Sequence, residues 1–183
     1  RGRSGDDRKH ILTLSTIYDL PFGKGRKFGT GIHPVLNAVV GGWEMNGIYG
    51  FISGSPLSFS ALGAPLGNGY GTRANLVGNP GISNKSAALW FDPNAFAAPP
   101  ARVFGNAGIG IMDGPGVHSL DFGLFKNFNI TETKYVQYRW EMFNSTNHVN
   151  LGNPGTTIGL SSTGLITSAG GARQMQMGLK FVF

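Results

Sequence analysis

The chain has 183 residues and no cysteine, so it is long enough for one domain but offers neither a disulfide framework nor a thiolate metal site. Charged residues make up only 13%, against roughly 25% in ordinary soluble domains, while glycine reaches 30 residues and aromatics 11%. The net charge of +6 lies largely in two clusters, Arg1, Arg3, Arg8 and Lys9, then Lys24, Arg26 and Lys27, with no basic helix, which argues against nucleic acid as a partner.

The first strand is predicted over 10–20. Leu12, Leu14, Thr16, Tyr18 and Leu20 share one face, and Thr13, Ser15, Ile17 and Asp19 share the other. Pro21 stops the ladder because it has no N–H to donate. Phe22-Gly23-Lys24-Gly25-Arg26-Lys27 is a basic glycine-rich turn that lacks the Gly-Lys-Ser/Thr spacing of a nucleotide phosphate loop. Residues 30–40 are an irregular connection with room for a short helical turn.

The second strand is predicted over 42–59, with Trp43, Met45, Gly47, Tyr49 and Phe51 opposite Glu44, Asn46, Ile48 and Gly50. Gly54-Ser55-Pro56 breaks or bulges it near its far end. Residues 61–117 form a long loop dense in turn formers: Gly67-Asn68-Gly69-Tyr70-Gly71, Gly78-Asn79-Pro80, Pro99-Pro100 and Gly114-Pro115-Gly116. Within it, Trp90, Phe91 and Phe96 make an aromatic knot. It either packs the loop on itself or meets a ligand.

The third strand, 118–130, sets Leu120, Phe122, Leu124, Lys126, Phe128 and Ile130 against Asp121, Gly123, Phe125, Asn127 and Asn129. A lysine near the end of an apolar face is expected to snorkel toward water. Thr131-Glu132-Thr133 is a tight turn into the fourth strand, 134–143, where Val136, Tyr138, Trp140 and Met142 alternate with Gln137, Arg139 and Glu141. Residues 144–171 are a second long loop. The last strand, 173–183, alternates Met175, Met177, Leu179, Phe181 and Phe183 with Gln174, Gln176, Gly178, Lys180 and Val182.

Strict alternation of this kind places one strand face in an apolar medium and the other against polar surroundings. Long loops at one end of the strands and a short turn at the other match bacterial outer-membrane barrels, whose short turns are periplasmic. The fold class expected is therefore all-β: an antiparallel transmembrane β-barrel segment of about five strands, treated as part of one barrel domain over 1–183. Phe181 and Phe183 would belong to the aromatic girdle at the membrane interface, with outer-membrane lipid as their surroundings. The 22–41 connection is long for a periplasmic turn. No signal peptide opens the chain and it begins at Arg1, so a processed product or a fragment is expected.

The sequence shows no catalytic set, and an enzyme is not expected. It has no Gly-x-Ser-x-Gly elbow, no His-Glu-x-x-His and no histidine pair at ligand spacing. His10, His33, His118 and His148 are scattered over strand ends and loops. No cofactor is implied. The polar strand faces carry Glu44, Asp121, Arg139 and Glu141, which are expected to form a lumen-facing network. Trp90, Phe91 and Phe96 are the candidate ligand contacts of the loops.

Several stretches together resemble the C-terminal barrel region of TonB-dependent receptors of the Oar-like, carboxypeptidase-regulatory-domain type. They are Asp7-Arg8-Lys9-His10 leading to Tyr18-Asp19-Leu20-Pro21-Phe22-Gly23-Lys24-Gly25, then Gly41-Gly42-Trp43-Glu44-Met45-Asn46-Gly47 with Ser53-Gly54-Ser55-Pro56. Leu120-Asp121-Phe122-Gly123-Leu124-Phe125-Lys126-Asn127-Phe128, Glu141-Met142-Phe143-Asn144-Ser145-Thr146-Asn147-His148 and the terminal Phe183 complete the set. The resemblance implies a transporter in the bacterial outer membrane whose plug, remaining barrel strands and TonB-contacting segment lie outside this chain. It also implies a C-terminal strand read by the barrel-assembly machinery. Two other readings fit the alternation: a self-assembling β-protein that closes through its free edges into a barrel or fibre, and a soluble carbohydrate-binding sandwich.

Overall fold

The computed structural model describes residues 2–63, 72–131 and 133–183. Arg1, Glu132 of the tight turn and the Gly67-Asn68-Gly69-Tyr70-Gly71 turn lie outside the described residues. The chain divides into two compact units, a sheet unit and a loop unit.

The sheet unit is a meander of five strands in chain order: β1 (Ile11–Asp19), β2 (Trp43–Ile52), β3 (Val117–Asn129), β4 (Tyr135–Phe143) and β5 (Gln174–Val182). Four of the five fall within a residue or two of the sequence expectation. Bonds from Leu20 N to Trp43 O and from Ser53 N to His10 O fix β1 antiparallel to β2 from end to end. The bond from Asn127 N to Gly42 O sets β2 against β3. Phe125 pairs with Arg139 across β3 and β4, and Glu141 with Gln176 across β4 and β5.

This register aligns the alternation of all five strands. One face carries rows such as Leu124, Trp140 and Met177, or Phe122, Met142 and Met175. The other carries Gly123, Glu141 and Gln176, then Asn127, Gln137 and Lys180. A one-residue slip would exchange the two faces along an entire strand, so the contrast between them pins the register. Away from the 20–42 connection, this apolar face is bare among the described residues: Met177 is 70% exposed and Leu179 76%. β1 pairs only with β2 and β5 only with β4, so among the described residues each keeps one unpaired edge.

The 20–42 connection contains the helix α1 (Pro34–Val40). Pro34 suits the first helical position, where an N–H is not needed, and His33 Nδ1 accepts from Val35 N at 3.3 Å. The helix ends at Gly41, whose backbone is extended, followed by Gly42 with φ 72°. Val35, Leu36 and Val39 are exposed.

The loop unit holds residues 52–117 and 149–171 with the N-terminal segment. It corrects two expectations. β2 ends at Ile52, not at residue 59: Pro56 and Leu57 pair instead with Asp113 and Met112. And the 61–117 loop, dense as it is in residues that suppress strands, still forms short ones among its described residues. Short pairings tie Ser60 and Ala61 to Arg73 and Thr72 and, in parallel, to Thr157 and Ile158, while Asn75 and Leu76 pair with Ala97 and Phe96. Its core is Leu57, Phe59, Ala74, Phe91, Ala95, Phe96 and Ala107. Phe59 stacks on Phe96 with centroids 4.2 Å apart and meets the edge of Phe91 at 4.9 Å. Such aromatic pairs add about 0.5–1.5 kcal/mol each beyond the area they bury. Gly54 is required by packing, since a Cβ there would overlap the Gly114 carbonyl.

Candidate functional site: the polar face of the sheet

Arg139 and Glu141 stand two residues apart on β4 and so point the same way. Arg139 Nη2 lies 2.6 Å from Glu141 Oε1, and Gln176 Nε2 donates to Glu141 Oε2 at 2.8 Å from the position opposite on β5. Both carboxylate oxygens are therefore engaged. The guanidinium carbon of Arg139 lies 5.0 Å from the centroid of Phe125, its cross-strand partner. The ring supplies a cation–π surface and fixes the side chain. Arg139 Nε is buried with no hydrogen-bond partner among the described residues. One register step toward the short-turn end, Gln137 Nε2 donates to Asn127 Oδ1 at 3.0 Å.

The structure joins only part of the expected network. Arg139 and Glu141 pair. Asp121 instead accepts from the backbone N of Asn144 at 2.9 Å, holding the turn after β4, where Asn144 adopts φ 49°. Glu44 has no side-chain hydrogen bond or ion pair among the described residues. Gln176, Gln137, Asn127 and Phe125 are the members that sequence reasoning did not single out. Alternation marks them as belonging to the same face, but only the cross-strand register shows whom they touch.

The candidate loop contacts fall differently. Phe91 is fully buried and Phe96 nearly so, which leaves neither ring a surface to offer a ligand. Trp90 packs partly against that core, with Nε1 donating to the Asp113 carbonyl at 3.0 Å and Lys85 Nζ 5.1 Å from its ring centroid. Asp113 is the ionic centre of the loop unit, with Arg3 Nη1 and Lys9 Nζ each 2.6 Å from one of its oxygens. Burial pushes the Asp113 carboxyl up, but hydrogen bonds from Lys9 and Arg3 outweigh it and hold the group below its usual value. Arg3, bonded to Asp7 and Asp113, is held above its usual value.

The histidines are less scattered than their positions suggest. The rings of His118 and His148 meet edge to face at 5.2 Å, and Tyr49 Oη lies 3.3 Å from His118 Nδ1. No group of three or more metal-ligating side chains forms among the described residues. Lys126 does not snorkel toward water. It is buried, donates to the Gly41 carbonyl, and lies 5.1 Å from the ring centroid of Trp43 and 5.0 Å from that of Phe128. Phe181 and Phe183 stack at 5.7 Å and are both exposed.

No helix of the described residues is long and apolar enough to cross a membrane. A sheet with one bare apolar face and one hydrogen-bonded polar face crosses it instead with strands, whose backbone groups inside the sheet find their partners in the neighbouring strands. No curated protein and no solved structure matches the chain. A family model described as an outer membrane beta barrel domain matches residues 1–176. The chain belongs to this family of outer membrane β-barrel domains, and its place is the bacterial outer membrane.

Proposed function

We propose that the chain is the C-terminal portion of a TonB-dependent outer-membrane transporter, working by binding and passage with no catalytic step. The observation that carries this reading is the ordered polar face. Arg139, Glu141 and Gln176 form a charged, hydrogen-bonded cluster on the face that would line the barrel. Polar interiors of this kind line wide barrels that conduct or are plugged. The Oar-like motifs of the sequence support the same reading. Its partners would be outer-membrane lipid, the further strands and plug of the same receptor, TonB through those parts, and the assembly machinery through β5.

The test is the mass and coupling of the native polypeptide, captured from outer membranes by a reagent against residues 72–117. The proposal expects a polypeptide several times larger than 19.4 kDa that crosslinks to TonB when substrate is present. A polypeptide near 19.4 kDa in a detergent-resistant oligomer would overturn it. The second reading, assembly of copies into a closed barrel or fibre, would then hold. It is favoured by the unpaired edges of β1 and β5.

A further inference from the structure

Two cavities adjoin α1 within the sheet unit, and they differ sharply in chemistry. The first, of about 470 Å³, is polar and is walled by Lys24, Arg26, Lys126, Asn37, Asn127 and Asn129, among others. The second, of about 490 Å³, is an open groove lined wholly by apolar side chains: Leu20, Phe22, Val39, Val40, Trp43 and Leu124. Phe22 lines both.

The polar cavity is built rather than incidental. Gly23 has φ 112°, and a Cβ on it would come within 2.7 Å of Gly41 Cα and 2.8 Å of Asn37 Oδ1. Only glycine lets the basic turn close onto the end of α1. Asn37 Oδ1 then accepts from Lys24 N at 2.6 Å and locks the turn. Lys126 is 3% exposed, and its described polar partner is one neutral carbonyl, with no carboxylate in ion-pair range. A buried cation without a counter-ion is costly, and an anion placed beside it removes that cost. The carboxylate bonded to this group of cations is Asp19, 3.1 Å from Arg26 Nη2. Among the described residues, Arg26 has this one ion-pair partner, and Lys24 and Lys126 have none.

The site also lies at the right depth. Lys126 and Tyr138 are cross-strand partners, and Trp43 lies beside Lys126 at the short-turn end of the strands. Trp and Tyr gather where a membrane meets water. Exposed Val35, Leu36 and Val39 on α1 suit a helix lying in that interface.

We propose that these two cavities together bind one anionic glycerophospholipid, with its phosphate among Lys24, Arg26 and Lys126 and an acyl chain along the Phe22–Val39–Trp43 groove. Charge selects the headgroup, and the apolar groove distinguishes a lipid from free phosphate. The proposal rests on the membrane location and not on transport, so it survives if the transporter reading fails.

The test uses protein extracted from outer membranes in mild detergent, with added lipid bound to it read by native mass spectrometry. Phosphatidylglycerol is expected to be retained at least tenfold better than phosphatidylcholine. The Lys24→Ala/Arg26→Ala double variant should lose roughly thirtyfold in phosphatidylglycerol retention, as expected for two cations near a lipid phosphate. Both side chains lie at the surface of the turn, and Arg26→Gln alone, read against the same lipids, serves if the double variant does not reach the membrane. Millimolar inorganic phosphate should not displace the lipid. Equal retention of the two lipids, indifference to both variants, or full displacement by phosphate would each overturn the proposal.

Discussion

Asp113 shows how single residues carry the loop unit. Its two oxygens hold Lys9 and Arg3, and its carbonyl accepts from Trp90, so one residue ties three distant segments together. Its carboxyl is held below the usual value by those bonds despite burial. A folded-state value below the unfolded one means the stabilisation is complete above the unfolded pKa, about 4, and is lost as pH falls through the lower folded value. Protection of the Trp90 and Gly114 amides, taken relative to their intrinsic exchange rates, is therefore expected to fall on acidification below about pH 4. Asp113→Asn should remove that acid limb. An unchanged limb in the variant would assign the acid sensitivity elsewhere. Phe91 carries packing rather than charge. Phe91→Ala removes the ring that meets both Phe59 and Phe96 and should cost the loop unit about 3–5 kcal/mol, read from its urea midpoint.

At the scale of elements, the test of the two-faced sheet is a pair of neighbouring substitutions on β5. Met177 lies on the bare apolar face, opposite Trp140 and well inside the strand. Met177→Arg places a charge in the hydrocarbon and should cost about 2–4 kcal/mol near the bilayer midplane. Gln176→Arg, one residue away, points to the polar face beside Glu141 and should cost under 1 kcal/mol, since it keeps a donor for that carboxylate. Equal effects in a urea titration of protein folded into bilayers would refute the assignment of faces. The strands were legible in the sequence because each is sorted by two unlike surroundings, and a period of two records that sorting residue by residue. The same rule misled at residues 53–59. Leu57 and Phe59 continue the alternation of β2, but they serve the loop core. That core left little trace in the pattern. Ala74, Ala95 and Ala107 are small, sit at no fixed period, and are buried by pairings between residues dozens of positions apart. In the candidate site, Arg139 and Glu141 were legible because they share one strand. Gln176 was not, because its place beside Glu141 depends on the register of another strand.

At the scale of the whole molecule, the number of strands is the controlling fact. Five antiparallel strands cannot close on themselves, since the smallest membrane barrels use about eight. Each open edge presents a row of backbone groups that lipid cannot satisfy, at a cost of several kcal/mol for every unsatisfied group. In the outer membrane the outer edges of β1 and β5 must therefore be paired, whether by further strands of one receptor or by other copies of this chain. Both routes make the same prediction at the edges. In protein taken from outer membranes, amides of β1 and β5 should exchange as slowly as those of β3. In the 183-residue chain refolded alone in detergent and held as a monomer, edge amides should exchange far faster, with β3 and β4 still protected. A monomer with all five strands equally protected would mean that the edges are satisfied within the chain, and the need for further strands would fall with that result. If the membrane sample alone is protected, its polypeptide mass separates the two routes. Only the larger polypeptide is compatible with a plug and a TonB-coupled passage. The small one makes the unpaired edges themselves the contact by which the protein works.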